Sequence, residues 1–319
     1  MHGAAEVADD IDRKGSNNMG KTNNHWWKMV WQMLYPLLIY EGIGLLMQIF
    51  FAVGISVKAM IGSNLTDIMA SEQGYYAFMN QILEAFYSNM YYSLIASAVV
   101  TIPLLWMFMR RDQRRRQAMG VMLSQIRVPS AVYPLVAVTA FAACIGGNNI
   151  ILSSGLMQMD ESYQQLTEIL YSAPMWFQLL GTGVIVPLCE ELIFRGLMYN
   201  RLKEYVPVKW ALLMSALAFG IGHGNMVQGV YGFALGYMMA YLYERTNKLW
   251  VPVLFHVVAN SVSVLITESG IFDVLYTNEI TVLLSGAVGV LIAMWGMLTL
   301  QKMLPVVENG QEGSSYTAW

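Results

Sequence analysis

Glu190, Glu191 and Arg195 lie in Pro187-Leu-Cys-Glu-Glu-Leu-Ile-Phe-Arg-Gly196. The surrounding apolar run of about 25 residues is long enough to cross a bilayer as a helix. Each ionisable group at that depth costs roughly 2.5–3.5 kcal/mol on insertion scales, and such groups commonly mark a functional interior. Glu191 and Arg195 are four apart and share a helix face, so they can pair. Glu190 points about 100° away around a 3.6-residue helix and is left to face a cavity. Pro187 removes a backbone donor and tends to kink the helix beside the two carboxylates.

The chain has four histidines. His2 and His25 belong to a polar N-terminal stretch. His223 ends the run Phe219-Gly-Ile-Gly-His223, and His256 precedes Asn260 by one helical turn; both histidines are expected inside spans. An imidazole and an amide on one face can aim two hydrogen-bond donors at one point. Taken singly, each feature has a bland explanation: a Glu–Arg pair can serve packing, a buried histidine can be a satisfied structural group, and an asparagine in a span commonly joins helices. Glu190, Glu191, Arg195, His223, His256 and Asn260 together, on three separate spans, are harder to explain as glue.

Three chemistries fit this set. Glu190 could act as general base on a water while His256, Asn260 and His223 donate to a developing oxyanion. His223, His256 and Glu190 could hold a zinc ion with water in the fourth position. The carboxylates and histidines could instead relay protons or bind an ion in a transporter. A GxSxG elbow and an HExxH zinc motif are both absent from the sequence.

Composition sets the elements that must position these groups. The 319 residues are 56% hydrophobic and 12% charged, with net charge -3. That is the balance of an all-α polytopic membrane bundle, and it gives no sign of a nucleic-acid partner. Residues 1–28 are polar, mixed in charge and without an apolar core, so they read as a loosely ordered cytoplasmic tail and not as a cleavable signal. The transmembrane bundle is expected over 29–303, with the motif-bearing core at about 175–265 and a C-terminal tail at 304–319. Cys144 and Cys189 both fall in apolar spans and read as buried free thiols.

About eight spans are expected, near 29–57, 90–109, 131–152, 175–199, 210–226, 230–243, 249–266 and 280–300. The aromatic stretch 75–92 reads as an interfacial amphipathic helix. Arg110, Arg111, Arg114, Arg115 and Arg116 form the strongest orientation signal and place that loop in the cytoplasm, with both termini on the same side. Gly146-Gly147-Asn148-Asn149 reads as a helix break. Ala216, Gly220, Gly224, Gly232 and Gly236 read as small residues that let two helices approach closely. Glu41 falls in the middle of the first span as a further candidate for the same cavity.

Glu190-Glu191-x-x-x-Arg195, Phe219-x-x-x-His223 and His256-x-x-x-Asn260 together resemble the three motifs of the CPBP intramembrane proteases. That family includes the type II CAAX prenyl proteases and the Abi or bacteriocin-processing proteins. The resemblance covers about residues 175–265. It implies an eight-helix membrane core and an intramembrane endopeptidase acting on a membrane-associated protein or peptide. It also implies Glu190 as the base that activates water, with His223 positioning that water or a metal. His256 with Asn260 would form the oxyanion site, with Glu191 and Arg195 in support. Zinc is a candidate cofactor on this reading. The other readings are a non-catalytic scaffold or bacteriocin-immunity factor and an ion- or proton-coupled transporter. The sequence leaves the substrate, the scissile bond, the oligomeric state and the face to which the site opens undetermined.

Overall fold

The computed structural model describes residues 2–62, 68, 71–120, 127–271 and 278–304, with side chains stated from 26 onward. Among the described residues there is no strand. Helix α1 runs His2–Gly62, α2 Glu72–Ala118 and α3 Val132–Ser153; two short helices follow, α4 Leu156–Met159 and α5 Glu161–Leu170. Then come α6, Met175–Leu202, α7, Val208–Ile221, α8, Met226–Thr246, α9, Trp250–Ser269, and α10, Glu279–Met303.

Among the described residues six helices are long and apolar enough to cross a membrane: α1 from Trp26, α2, α3, α6, α9 and α10. Helix α7 is apolar but shorter, and α8 is not among the six. The sequence expectation of eight spans thus meets six candidates by length and composition.

Two stretches differ from the expectation. The aromatic stretch 75–92, expected as an interfacial amphipathic helix, is the first half of α2, a single helix of 47 residues that includes the arginine cluster. Ser71 caps it through Gly74 N–H, and no proline follows until Pro103, so nothing in the backbone stops propagation. The arginines therefore occupy the last turns of a helix and not a loop. Gly146 and Gly147 do not break α3 either. A Cβ on Gly146 would stand 2.6 Å from Val290 N, and one on Gly289 would stand 2.7 Å from Gly146 N. The glycines are there so that α3 and α10 can touch backbone to backbone. Asn148 Nδ2 donates to Cys144 O within the helix, and Asn149 Nδ2 donates to Ser285 Oγ across to α10.

Helices α7 and α8 show the close packing expected of their small residues. A Cβ on Gly220 would lie 2.5 Å from Gly229 O, and one on Gly236 would lie 3.0 Å from Phe219 Cδ1. Gly224 has a different job: with φ +71 it forms the turn between the helices, a left-handed conformation that glycine adopts without steric cost.

Ion pairs collect at one end of the bundle. Arg201 on α6 donates to Asp112 on α2 at 2.6 Å, Arg115 and Arg116 pair with Glu204, and Lys203 pairs with Glu244 on α8. Both cysteines are buried free thiols.

Candidate active site

Helix α6 carries the two glutamates, and its backbone is irregular around them. It begins as α-helix, widens to π over Gly181–Ile185, returns to α over Val186–Glu191, and widens again over Leu192–Tyr199. The first widening has a legible cause. Val186 N–H donates to Gly181 O, five residues back. The same spacing would give Thr182 O its donor at residue 187, which is Pro187 and has no N–H. Asn260 of α9 supplies the missing donor, its Nδ2 lying 3.0 Å from Thr182 O. The second widening is bridged in the same way: Asn200 Nδ2 donates to the carbonyls of both Arg195 and Gly196 at 3.1 Å. π-Bulges of this kind often occur at functional sites.

Between the two widened turns the polar groups meet. Glu191 and Arg195 are fully buried, and Arg195 Nη1 donates to Glu191 Oε1 at 2.7 Å. Arg195 Nη2 donates to Gly236 O of α8 at 2.8 Å, and the guanidinium lies 4.6 Å from the centroid of Phe219. His256 Nδ1 donates to the same Glu191 Oε1 at 2.9 Å. A carboxylate only accepts, so Nδ1 carries the proton and Nε2 is turned to the other side. There Glu190 Oε2 stands 3.5 Å away, and its side chain keeps 17% exposure against 0% for Glu191. This separation is long for a direct hydrogen bond. Glu190 and His256 thus face one small space, with Glu190 the partly open side.

His223 is not inside a span. Helix α7 ends at Ile221, and His223 occupies the turn before Gly224. Its Nδ1 donates to Phe219 O at 2.7 Å. Phe219 packs edge-on against both imidazoles, 4.8 Å from His223 and 5.5 Å from His256 between ring centroids. The phenyl ring thus ties the two histidines to one place without a polar bond between them. The turn is anchored from outside. Asp160 Oδ2 accepts from Met226 N–H at 2.7 Å and Val227 N–H at 3.0 Å, while Oδ1 accepts from Tyr163 N–H at 3.1 Å. These hydrogen bonds, Val227 first, hold the Asp160 carboxyl below the usual carboxylate range.

Glu190, Glu191, Arg195 and His256 therefore come together, while Asn260 addresses a backbone carbonyl and His223 stands behind Phe219. Glu41 is exposed on α1; its neighbour Tyr40 lies within electrostatic range of Glu190. Among the described residues no three His, Cys, Asp or Glu side chains gather as metal ligands, so His223, His256 and Glu190 do not form a zinc-type set here. Sequence reasoning missed Tyr40, Asn200, Asp160 and the carbonyls of Thr182 and Gly236. Of these only Thr182 O had a local signal, the proline five residues on.

A family description, "Type II CAAX prenyl endopeptidase Rce1-like", matches residues 172–262. That range contains all six polar positions. Among curated proteins, "Putative membrane peptidase YdiL" of Bacillus subtilis (strain 168) is 26% identical over 169 residues, covering 53% of this chain and 67% of that protein. No solved structure matches the chain.

Proposed function

We infer that this chain, which belongs to the CPBP family of CAAX-protease-like membrane proteins, is an endopeptidase that hydrolyses a peptide bond of a membrane-associated protein or peptide. The observation that carries this reading is the arrangement of Glu190 and His256 Nε2, 3.5 Å apart and backed by the Glu191–Arg195 pair. Two carboxylates and one guanidinium leave this buried group one negative charge in excess. The mechanism needs one further proton, on His256 Nε2, beside the one that Nδ1 donates to Glu191.

In this reading Glu190 removes a proton from a water lying beside it, and the water oxygen forms the new bond to the scissile carbonyl carbon. The carbonyl electron pair moves to oxygen, where His256 Nε2–H donates to the developing charge. Collapse re-forms the carbonyl and breaks the C–N bond, and the leaving nitrogen takes the proton held by Glu190. Glu191, held by Arg195, fixes the orientation of the imidazole. Asn260 acts by holding the carbonyl freed beside Pro187. His223 braces Phe219 and, through it, His256.

The basic end of the bundle, at Arg110–Arg116, is assigned to the cytoplasm. The steps use no metal. Zinc would be held by His223 Nε2, which the Nδ1 bond to Phe219 O leaves free, together with His256 and Glu190; equilibrium dialysis of purified protein against zinc, with bound metal counted, tests for such a site.

The functional test is comparative peptidomics on membranes carrying wild type or Glu190→Gln at matched abundance. Fragments seen only with wild type establish the protease and name its substrate. Identical peptide profiles, with a gene-dependent phenotype retained in the variant, would replace the protease reading with a scaffold or immunity role.

A further inference from the structure

A cavity of about 690 Å³ lies between α1 and α2 at the basic end of the bundle. It plays no part in the proposed chemistry, and its volume falls in the range of small-molecule sites. Trp31, Tyr35 and Phe108 form an aromatic wall, and Leu38 and Ile39 extend it along α1. Tyr35 packs against both Trp31 and Phe108, at 6.3 and 6.1 Å between centroids. From Trp31 to Ile39 the wall rises about 12 Å, at 1.5 Å per residue. Its aromatic end lies among the basic residues and its aliphatic end runs into the apolar span.

The charges around it are unevenly satisfied. Arg115 is held by Glu204 and Asp112 by Arg201. Arg111 lines the cavity, is exposed, and has no carboxylate partner among the described residues. Arg201 lies directly behind the wall: its guanidinium is 4.3 Å from the Tyr35 ring centroid, its Nε donates to Asp112, and its Nη1 donates to Gln32 O. Its Nη2 is buried without a hydrogen-bond partner. Arg201 is not part of the lining and serves to hold Tyr35 from behind; the guanidinium that the cavity itself presents without a carboxylate is Arg111, and such a group suits a phosphate oxygen.

We propose that this cavity binds the phosphate headgroup of an anionic phospholipid, with the acyl chains lying along Leu38 and Ile39. The aliphatic extension favours a lipid over free phosphate, because a free anion would gain nothing from it. Trp and Tyr at the interface and cations facing an anionic leaflet are the elements by which membrane proteins hold such headgroups.

The test uses purified full-length protein in detergent with phosphatidylglycerol at low molar ratio. Retained lipid is read by native mass spectrometry, and folding is checked by thermal unfolding. Wild type is expected to retain phosphatidylglycerol over phosphatidylcholine. Arg111→Gln is expected to lose retention about fivefold, the factor one basic residue contributes at an anionic surface. Arg110→Gln removes an equal charge from a residue stacked on Trp106 outside the cavity and should keep wild-type retention. Equal losses in the two variants would show general surface attraction and overturn the site, as would unchanged retention in Arg111→Gln. Displacement of the lipid by millimolar inorganic phosphate would overturn the lipid assignment in favour of a free-anion site. Peptidase activity enters none of these readouts, so the lipid site and the protease reading can fail separately.

Discussion

If Asn260 serves the carbonyl that Pro187 leaves without a donor, the two residues must be energetically coupled. In wild type, Asn260→Ala removes the donor 3.0 Å from Thr182 O and leaves that carbonyl unpaired. Interhelical hydrogen bonds in membrane proteins average about 0.6 kcal/mol in double-mutant cycles, with a maximum near 1.7. A cavity of about 120 Å³ lined by Thr182 and Asn260 lets water replace part of the lost bond, which places the expected cost nearer the lower figure. Pro187→Ala restores an N–H at the spacing Thr182 O requires. In that background the loss of Asn260 should cost close to nothing, so the coupling energy is expected at about 0.6–1 kcal/mol.

The assay is a four-variant cycle of unfolding free energies in mixed micelles, with activity measured on the same samples. Peptidase activity lost on Asn260→Ala should return in the double variant to the level of Pro187→Ala alone. Additive effects, within about 0.3–0.5 kcal/mol, would refute the helix-break account. A loss of about 10²–10³ in kcat in both backgrounds would mark Asn260 as an oxyanion donor.

The remaining predictions follow from neighbouring contacts. Glu190→Gln should lower kcat by about 10²–10⁴ while leaving the melting temperature near wild type, since Glu190 has no short bond in the cluster; a large fall in melting temperature would argue for a structural role. Arg195→Met leaves Glu191 buried beside His256 alone and should destabilise by about 3–5 kcal/mol, read by chemical unfolding; a loss under about 1 kcal/mol, the scale of a surface pair, would refute the buried-pair account. Gly220→Val puts a Cβ 2.5 Å from Gly229 O and should cost about 1–3 kcal/mol through overpacking, with activity falling as Phe219 shifts; unchanged unfolding would contradict the α7–α8 contact. The Asp160 carboxyl titrates lower in the folded protein than in the unfolded chain, so its contribution is present above about pH 4 and fades as pH falls further. The stability gap between wild type and Asp160→Asn should accordingly close in acid, and a gap independent of pH would show that the Asp160 charge does not hold the turn.

Much of the site was legible because its signal is a violation. Charged and imidazole side chains inside apolar runs are costly enough that Glu190, Glu191, Arg195 and His256 stand out with no knowledge of the fold. The i,i+4 spacing of Glu191 and Arg195 is local geometry, and the pair is formed. The small residues of α7 and α8 likewise pack as their spacing suggested. Other readings failed where a local rule met a tertiary partner. Gly146 and Gly147 look like a breaker, but α10 lies against Gly146 and Tyr231 of α8 against Gly147, and the missing side chains become contact area. His223 follows an apolar run, yet the helix ends two residues earlier and the histidine belongs to the turn.

By itself the sequence determined that this chain is an apolar helical bundle with carboxylates, a guanidinium and imidazoles inside it, because hydropathy and 3.6-residue spacing are properties of contiguous residues. Only the tertiary structure decided who serves whom. Glu191 is shared by Arg195 and His256 across α6 and α9, Gly236 of α8 takes the second arm of Arg195, and Asn260 fills the vacancy left by Pro187. Those partners are separated by up to 78 residues along the chain, and a hydrogen bond is set by distance and direction in space, which residue order does not encode.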